Sequence, residues 1–365
     1  MFSNLAPHVM EIRMRVAALL VFTALIYSTL YSLPLEAQEG PLLAVSSSGI
    51  NGNVNLNGFI ADAIEASLIR RQRRKTLLFD TFEKKPAFRF IPYGDKFKRG
   101  ARVALGDING DGFADIVTGP GPGKGPQINI LSGVDNSELG SFIALDPLFV
   151  GGLFVAAGGI VAGGGDEIVI GSGTDPSVSV TAGVDGTQVC SFFAYDQSFQ
   201  GGVRVASGDL NGDGTFEVIT APGIGHSPQI KIFNGSTGTL IRSFLAFDTS
   251  FTGGVFVASG DVNADGNYDI IVGSGTGAQS EHQVRAFDEF GSELGSFFAY
   301  PQSFAGGVRV AAGDVNGDGI ADIITGSGPG MRAQIKAFDT SGAVLDSFFA
   351  YDPGFRGGVF VTARQ

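Results

Sequence analysis

Asp314-Val-Asn-Gly-Asp-Gly-Ile-Ala-Asp322 is the stretch on which the reading of the whole chain turns. Asp314, Asn316, Asp318 and Asp322 stand at positions one, three, five and nine, with Gly319 at position six. Calcium takes about six to eight oxygen ligands, and alternate residues of a tight loop can turn their oxygens inward. Glycine at position six admits the positive φ that folds the loop back on itself. Position seven serves through its backbone carbonyl, so Ile320 is compatible with the pattern. The spacing recurs in Asp107, Asn109, Asp111, Phe113 and Asp115, and in Asp209, Asn211, Asp213, Thr215 and Glu217. It recurs again in Asp261, Asn263, Asp265, Asn267 and Asp269. These four loops lead to an expectation of about four Ca²⁺ sites. An EF-hand would need a bidentate Glu at position twelve and flanking helices. Position twelve here is Thr325, and β-branched residues follow the ninth position. A dockerin-like module would likewise run on into a helix. A metal-free turn held by the Asp and Asn side chains stays open for any one loop.

Outward from the loops, the chain repeats. Equivalent glycines fall at Gly100, Gly152, Gly202, Gly254, Gly307 and Gly358. In the unit Gly306–Arg356, strand a is Val308–Ala312 and strand b is Asp322–Thr325. Strand c is Gln334–Phe338 and strand d is Val344–Tyr351. Gly, Pro, Asp and Asn bound these β-rich runs, as turn chemistry requires. Four short strands per repeat are the signature of a β-propeller blade, and one open twisted sheet of so many strands would curl or split. Leu77–Phe97 aligns with strands c and d, and Gly357–Thr362 with strand a. The fold expected is therefore all-β: a six-bladed propeller of four-stranded antiparallel blades, closed by N- and C-terminal strands in one blade. Residues 42–57 are a weak candidate for the missing strand b. After the first apolar position of strand a come Arg102, Phe154, Arg204, Phe256, Arg309 and Phe360. That strict alternation suits an even-numbered closed ring.

The motif F-x-G-G-V-x-V-A-x-G-D-x-N-x-D-G-x-x-D-I-I-x-G, read at Phe251–Gly273 and Phe304–Gly326, resembles the FG-GAP (VCBS-type) repeat family, related to the integrin α-chain propeller. The resemblance covers about residues 76–365. It implies a calcium-bearing propeller in a secreted or surface-attached protein, often concerned with adhesion or carbohydrate contact. The second copy departs from the pattern. Gly158-Gly-Ile-Val-Ala-Gly-Gly-Gly-Asp166 keeps only Glu167 at position nine, so no calcium is expected there. In the third copy Glu217 replaces the family's Asp.

A formal net charge of −12 argues against a nucleic-acid partner. A single cysteine, Cys190, excludes an intramolecular disulfide framework. The uncharged run Val16–Leu35 follows Arg13 and Arg15 and is long enough for one membrane span. Residues 1–37 thus read as a signal peptide cleaved near Ala37, with an uncleaved membrane anchor as the alternative. Either places residues 76–365 in a secreted, periplasmic or cell-surface setting, with membrane contact only through an uncleaved anchor. Residues 38–75 read as a linker with a short amphipathic helix over Phe59–Ile69 and a basic cluster, Arg70–Lys75.

In an up-and-down blade the a–b and c–d turns share one face, and the b–c and d–a connections share the other. The b–c loops vary in length and carry Lys124, His226, Glu281, His282 and Arg332. Variable loops on a rigid scaffold are where binding usually lies. Arg102, Arg204 and Arg309 begin at the same face, and could take a carboxylate or sulfate or instead stack on neighbouring Phe rings. No Ser/His/Asp or Cys/His constellation is visible. The sequence reading is a calcium-stabilised, non-catalytic binding or adhesion module for an extracellular protein or glycan. A carbohydrate-binding lectin is the alternative, and a polysaccharide lyase or hydrolase on the same scaffold a lesser one.

Overall fold

The structure is a computed structural model, and it describes residues 42–47, 54–55, 76–80, 86–94, 96–276 and 283–363. The apolar run Val16–Leu35, the helix expected at Phe59–Ile69, the basic cluster Arg70–Lys75, Glu281 and His282 lie outside the described residues. Among the described residues, no helix is long and apolar enough to cross a membrane.

The strands are β1 (Leu42–Ser47), β2 (Val54–Asn55), β3 (Thr76–Asp80) and β4 (Pro86–Phe90), and then five sets of four. The first set is β5 (Ala101–Gly106), β6 (Asp115–Pro120), β7 (Gln127–Leu131) and β8 (Glu138–Ile143). The second is β9 (Leu153–Gly158), β10 (Glu167–Ser172), β11 (Ser177–Ala182) and β12 (Thr187–Phe193). The third is β13 (Val203–Gly208), β14 (Glu217–Pro222), β15 (Gln229–Asn234) and β16 (Leu240–Leu245). The fourth is β17 (Val255–Gly260), β18 (Asp269–Ser274), β19 (Gln283–Phe287) and β20 (Glu293–Phe298). The fifth is β21 (Val308–Gly313), β22 (Asp322–Ser327), β23 (Gln334–Phe338) and β24 (Val344–Phe349), and β25 (Val359–Ala363) ends the described chain.

Each set of four forms one antiparallel sheet in chain order, a propeller blade. The expectation of six four-stranded blades is corrected here: among the described residues there are five. The remaining sheet is five-stranded. It runs β2-β1-β3-β4, with β25 also pairing β1. The difference has a simple origin. The sixth copy of the repeat supplies only its first strand, β25. β3 and β4 take the places of strands c and d, as the alignment of Leu77–Phe97 expects, while β1, in the place of strand b, and the added two-residue β2 come from residues 42–57, which follow the repeat poorly. The register Leu43↔Ala363 and Ala44↔Thr362 ties β1 to β25. The innermost strands β5, β9, β13, β17, β21 and β25 neighbour one another in turn, and β25 also neighbours β5. Six inner strands therefore line the axis.

Within a blade, burial falls from inside to outside. The second strands β6, β10, β14, β18 and β22 are buried at every residue, sandwiched between adjacent blades. A strand covered on both faces reads as a continuous apolar run, which accounts for Ile-Ile-Val and Ile-Ile-Thr in place of alternation. The outer strands alternate partly buried and exposed residues, as in β24. A register shift interrupts each c–d pairing, for example between Ala337 and Phe338. Such bulges increase the local twist, as the steep pitch of a blade needs. The Gly-Gly turn that opens strand a needs its second glycine. Gly202, Gly254 and Gly307 have φ of 74°, 74° and 75°, where an L side chain is strained.

Candidate functional site

Two groups of sequence-selected residues form ordered clusters. The first is the set of a–b loops. In each pair of inner strands the last glycine of strand a faces the first residue of strand b: Gly106↔Asp115, Gly208↔Glu217, Gly260↔Asp269 and Gly313↔Asp322. The ninth residue is thus the start of a strand and is buried, while positions one to seven form the turn. One bonding scheme recurs. The Asp107 carboxylate accepts the N–H groups of Asp111 (2.9 Å) and Gly112 (2.8 Å). The Asn109 side-chain oxygen accepts that of Asp111, and Asp111 accepts that of Phe113, each at 2.9 Å. The same scheme serves Asp261, Asn263 and Asp265 and Asp314, Asn316 and Asp318. In the third copy Asp209, Asn211 and Asp213 repeat it, and Asp209 also accepts Gly212 N–H. Gly112, Gly214, Gly266 and Gly319, at position six, all have φ between 84° and 92°. At position four three of the loops have glycine, and the one that does not is strained: Ala264 has φ 63°.

The ninth carboxylates are electrostatically crowded. Burial, then repulsion from Asp265 and Asp261, pushes Asp269 up to about 7, against the pull of Val262 N–H. Asp322 is pushed up to about 6 by burial and by Asp318 and Asp314. Burial likewise raises Asp115 and Glu217. The donor set fits a hard cation in kind, since every side-chain donor is an oxygen. A carboxylate accepting two N–H groups keeps lone pairs in hand. Carboxylates raised by burial and by mutual repulsion are the groups a divalent cation would return to the ionised state. Among the described residues no three His, Cys, Asp or Glu side chains are drawn together at metal-binding spacing, so the Asn oxygens and backbone carbonyls would have to complete any such shell. In the second copy Glu167 alone remains, accepting Ile160 and Val161 N–H at 2.9 Å each.

The a–b loops also link the blades. Backbone N–H groups of Asp166, Phe216, Tyr268 and Ala321 donate to carbonyls of Asp107, Gly159, Asp209 and Asp261 in the preceding blade, at 2.6, 3.0, 2.9 and 2.9 Å. The axial cavity on this side has a volume of about 290 Å³ and is lined mainly by small residues of the inner strands, with Asp107, Asp166 and Tyr268 at its rim.

The second cluster is the Arg/Phe alternation, which closes into a ring. The Arg102 guanidinium lies 4.8 Å from the Phe154 ring and 5.1 Å from Phe360. Arg204 lies 5.1 Å from Phe154 and 5.2 Å from Phe256. Arg309 lies 4.9 Å from Phe256 and 5.3 Å from Phe360. Every arginine sits between two rings and every ring between two arginines. Gly223 and Gly328 are required beside them, since a Cβ would fall 2.1 and 2.0 Å from Arg204 Nη1 and Arg309 Nη1. The Nη1 atoms donate to Gly201 O (3.3 Å) and Gly306 O (2.9 Å). Burial lowers Arg102 and Arg204 to about 10 and Arg309 to about 9, with mutual repulsion adding to Arg102 and Arg309. All three stay cationic at neutral pH. A cation–π contact contributes about 0.5–2 kcal/mol, against several kcal/mol to take each ion out of water. Stacking alone offsets only part of that cost.

A third element was missed in the sequence. Tyr93, Tyr195 and Tyr300 reach into the next blade and donate to Gln127 O, Gln229 O and Gln334 O at 3.0, 2.8 and 2.9 Å. Each hydroxyl also meets a threonine, Thr118, Thr220 or Thr325, at 3.2, 3.4 and 3.1 Å. In the alternate blades the threonine position is Ile170 or Val272 and the tyrosine position Leu145 or Phe247. The signal was in the sequence at the threonine position, which alternates in phase with Arg/Phe, while the tyrosine position breaks step at Tyr351.

Among the described residues, those of the b–c loops are not gathered into one site. Lys124 lies 5.5 Å over Tyr93, His226 packs on Tyr195 and Phe199, and Arg332 lies 3.6 Å over Phe349. Lys124 and His226 thus pack on the connection from the preceding blade, and Arg332 on the outer strand of its own.

With this geometry in hand, the FG-GAP repeat family model matches residues 99–126 and 306–345. The chain carries FG-GAP repeats. The matched segments hold the first and last acidic loops and the arginines Arg102 and Arg309. No curated protein matches the chain by sequence. Among solved structures it resembles the exotype rhamnogalacturonan lyase YesX, with TM-score 0.43 and 15% identity over 71% of this chain and 52% of that one. It resembles a Bacillus licheniformis rhamnogalacturonan lyase, with TM-score 0.42 and 14% identity over 73% of this chain and 56% of that one. It also resembles the V. cholerae biofilm matrix protein Bap1, with TM-score 0.40 and 21% identity over 70% of this chain and 40% of that one. The chain thus spans about half the length of these proteins. The expectation that the chain is no enzyme is corrected: a fold does not fix a function, so non-catalytic character does not follow from the propeller.

Proposed function

We propose that this FG-GAP propeller is an exported, calcium-stabilised binding module. Ca²⁺ would be held by the loops Asp107–Asp115, Asp209–Glu217, Asp261–Asp269 and Asp314–Asp322. The observation that carries the reading is the common turn of these four loops, in which the carboxylates and amide of positions one, three and five crowd against a buried ninth acid. The loops join strands a and b on the face that links the blades by backbone hydrogen bonds. A cation there would stiffen the inner strands, leaving the face formed by the b–c and d–a connections for an extracellular protein or glycan.

Calorimetric titration of the whole chain with Ca²⁺ tests the metal: about four sites and a large rise in Tm are expected. Absence of binding would overturn the reading. A glycan array run with Ca²⁺ and with EDTA then tests the ligand surface, with calcium-dependent glycan retention separating a lectin from a protein-binding module.

A further inference from the structure

We propose that the Arg/Phe ring is an oxyanion site, in which Arg102, Arg204 and Arg309 together receive one sulfate group on the propeller axis. This names a ligand chemistry for the face described above and rests on that face being the binding face; it does not depend on calcium.

Three cations share one closed ring, each pair separated by a single Phe ring. Among the described residues, neither Arg102 nor Arg204 is paired with a carboxylate, and the groups whose charge acts on them are arginines and tyrosines. The Nε atoms of Arg102 and Arg204 are buried and have no hydrogen-bond acceptor. A guanidinium carries five N–H donors in a fixed fork suited to oxyanions. Arg204 uses one nitrogen on Gly201 O, and that bond, with the absence of a side chain at Gly223, fixes where its head lies. Phe stacking orients the heads without consuming their donors. Arg102, Arg204 and the rings of Phe154, Phe256 and Phe360 keep partial exposure, so an ion can reach them without unfolding the blades. A tetrahedral oxyanion presents acceptors in several directions, which matches three donors arranged about an axis better than a planar group does. Stacking leaves the repulsion between the guanidiniums in place, whereas one oxyanion bound among the three heads would relieve it.

The test uses the full chain, with sodium sulfate as probe against sodium chloride at matched ionic strength, in Ca²⁺ and in EDTA. The expected result is a saturable rise in Tm and one sulfate per chain by calorimetry, in both backgrounds. Arg204→Met should weaken that binding at least tenfold, while Arg242→Met, on the outer strand β16, should leave it unchanged. Anomalous scattering from selenate-soaked wild-type crystals gives a result that does not depend on the variant folding: one selenium peak among the three guanidiniums. Equal responses to sulfate and chloride, unaltered sulfate affinity in Arg204→Met, or selenium only elsewhere would overturn the proposal. A sulfated disaccharide distinguishes two sources of the group. Competition with inorganic sulfate marks a glycan ester as ligand, and lack of competition marks the free ion. Because inorganic sulfate needs no biological partner, failure here is separable from failure of the glycan array.

Discussion

Replacing Asp269 by Asn should have opposite effects on stability on the two sides of neutral pH when calcium is removed. Asp269 is 2% exposed. It accepts Val262 N–H at 3.0 Å and the Asn263 amide at 3.2 Å. Its folded pKa, raised to about 7, exceeds an unfolded value of about 3.9. A raised carboxylate favours the folded state below its unfolded pKa, and that contribution is lost as pH rises through the folded pKa. The window here is about pH 4 to 7. From pH 5 to 7 the slope of about 1.4 kcal/mol per unit gives about 3 kcal/mol. Water reaching the exposed part of the loop screens this to roughly half, about 1.5 kcal/mol. Asn carries no charge at any pH but sets an NH2 against the Asn263 amide, a cost of about 1 kcal/mol. In EDTA the variant should be less stable than wild type by about 1 kcal/mol at pH 5, and slightly more stable at pH 8. Urea unfolding at the two pH values measures both differences. With Ca²⁺ added at pH 8 the order should reverse, and calorimetry should count one site fewer. Equal destabilisation at both pH values, with and without calcium, would refute the electrostatic account.

Tyr300→Phe removes the hydroxyl that bridges Thr325 and Gln334 O and should cost about 1–2 kcal/mol in urea unfolding. Phe247→Tyr, in an alternate blade where Val272 stands at the threonine position, should bring no compensating gain. Ala264→Gly relieves the one non-glycine residue at position four of an acidic loop with φ 63°. The αL strain of about 1–2 kcal/mol outweighs the added chain entropy of about 0.5–1 kcal/mol, so a rise in Tm is expected by differential scanning calorimetry.

Much of the fold was legible because propeller blades are local. Each antiparallel pair is joined by a short turn, and the turn residues that end strands are the least ambiguous signals in a sequence. The span read for strand c, Gln334–Phe338, is that of β23. Strand d was read to Tyr351 but ends at Phe349, because Ala350 and Tyr351 turn toward the core as part of the connection to the next blade. The five-stranded sheet was less legible. Its strands β25, β3 and β4 follow the repeat, but β1 and β2 come from residues 42–57 that do not, and the pairing of β1 with β25 is a contact between distant parts of the chain. The Arg/Phe alternation was read correctly as a regularity, yet whether its members touch depended on six strands converging on one axis. The Tyr/Thr pairs went unnoticed because each joins residues 25 apart in neighbouring blades, a separation no local pattern marks.

The sequence by itself determined the repeat, the four-strand unit and the acidic loops, since each depends on backbone geometry set within a few residues. Only the tertiary structure decided the number of four-stranded blades, the burial of every ninth acid beneath its own loop, and the closure of three cations and three rings into one circuit. Those follow from how many strands reach the axis and what each then excludes from water, and that is a property of the assembled blades rather than of any one of them.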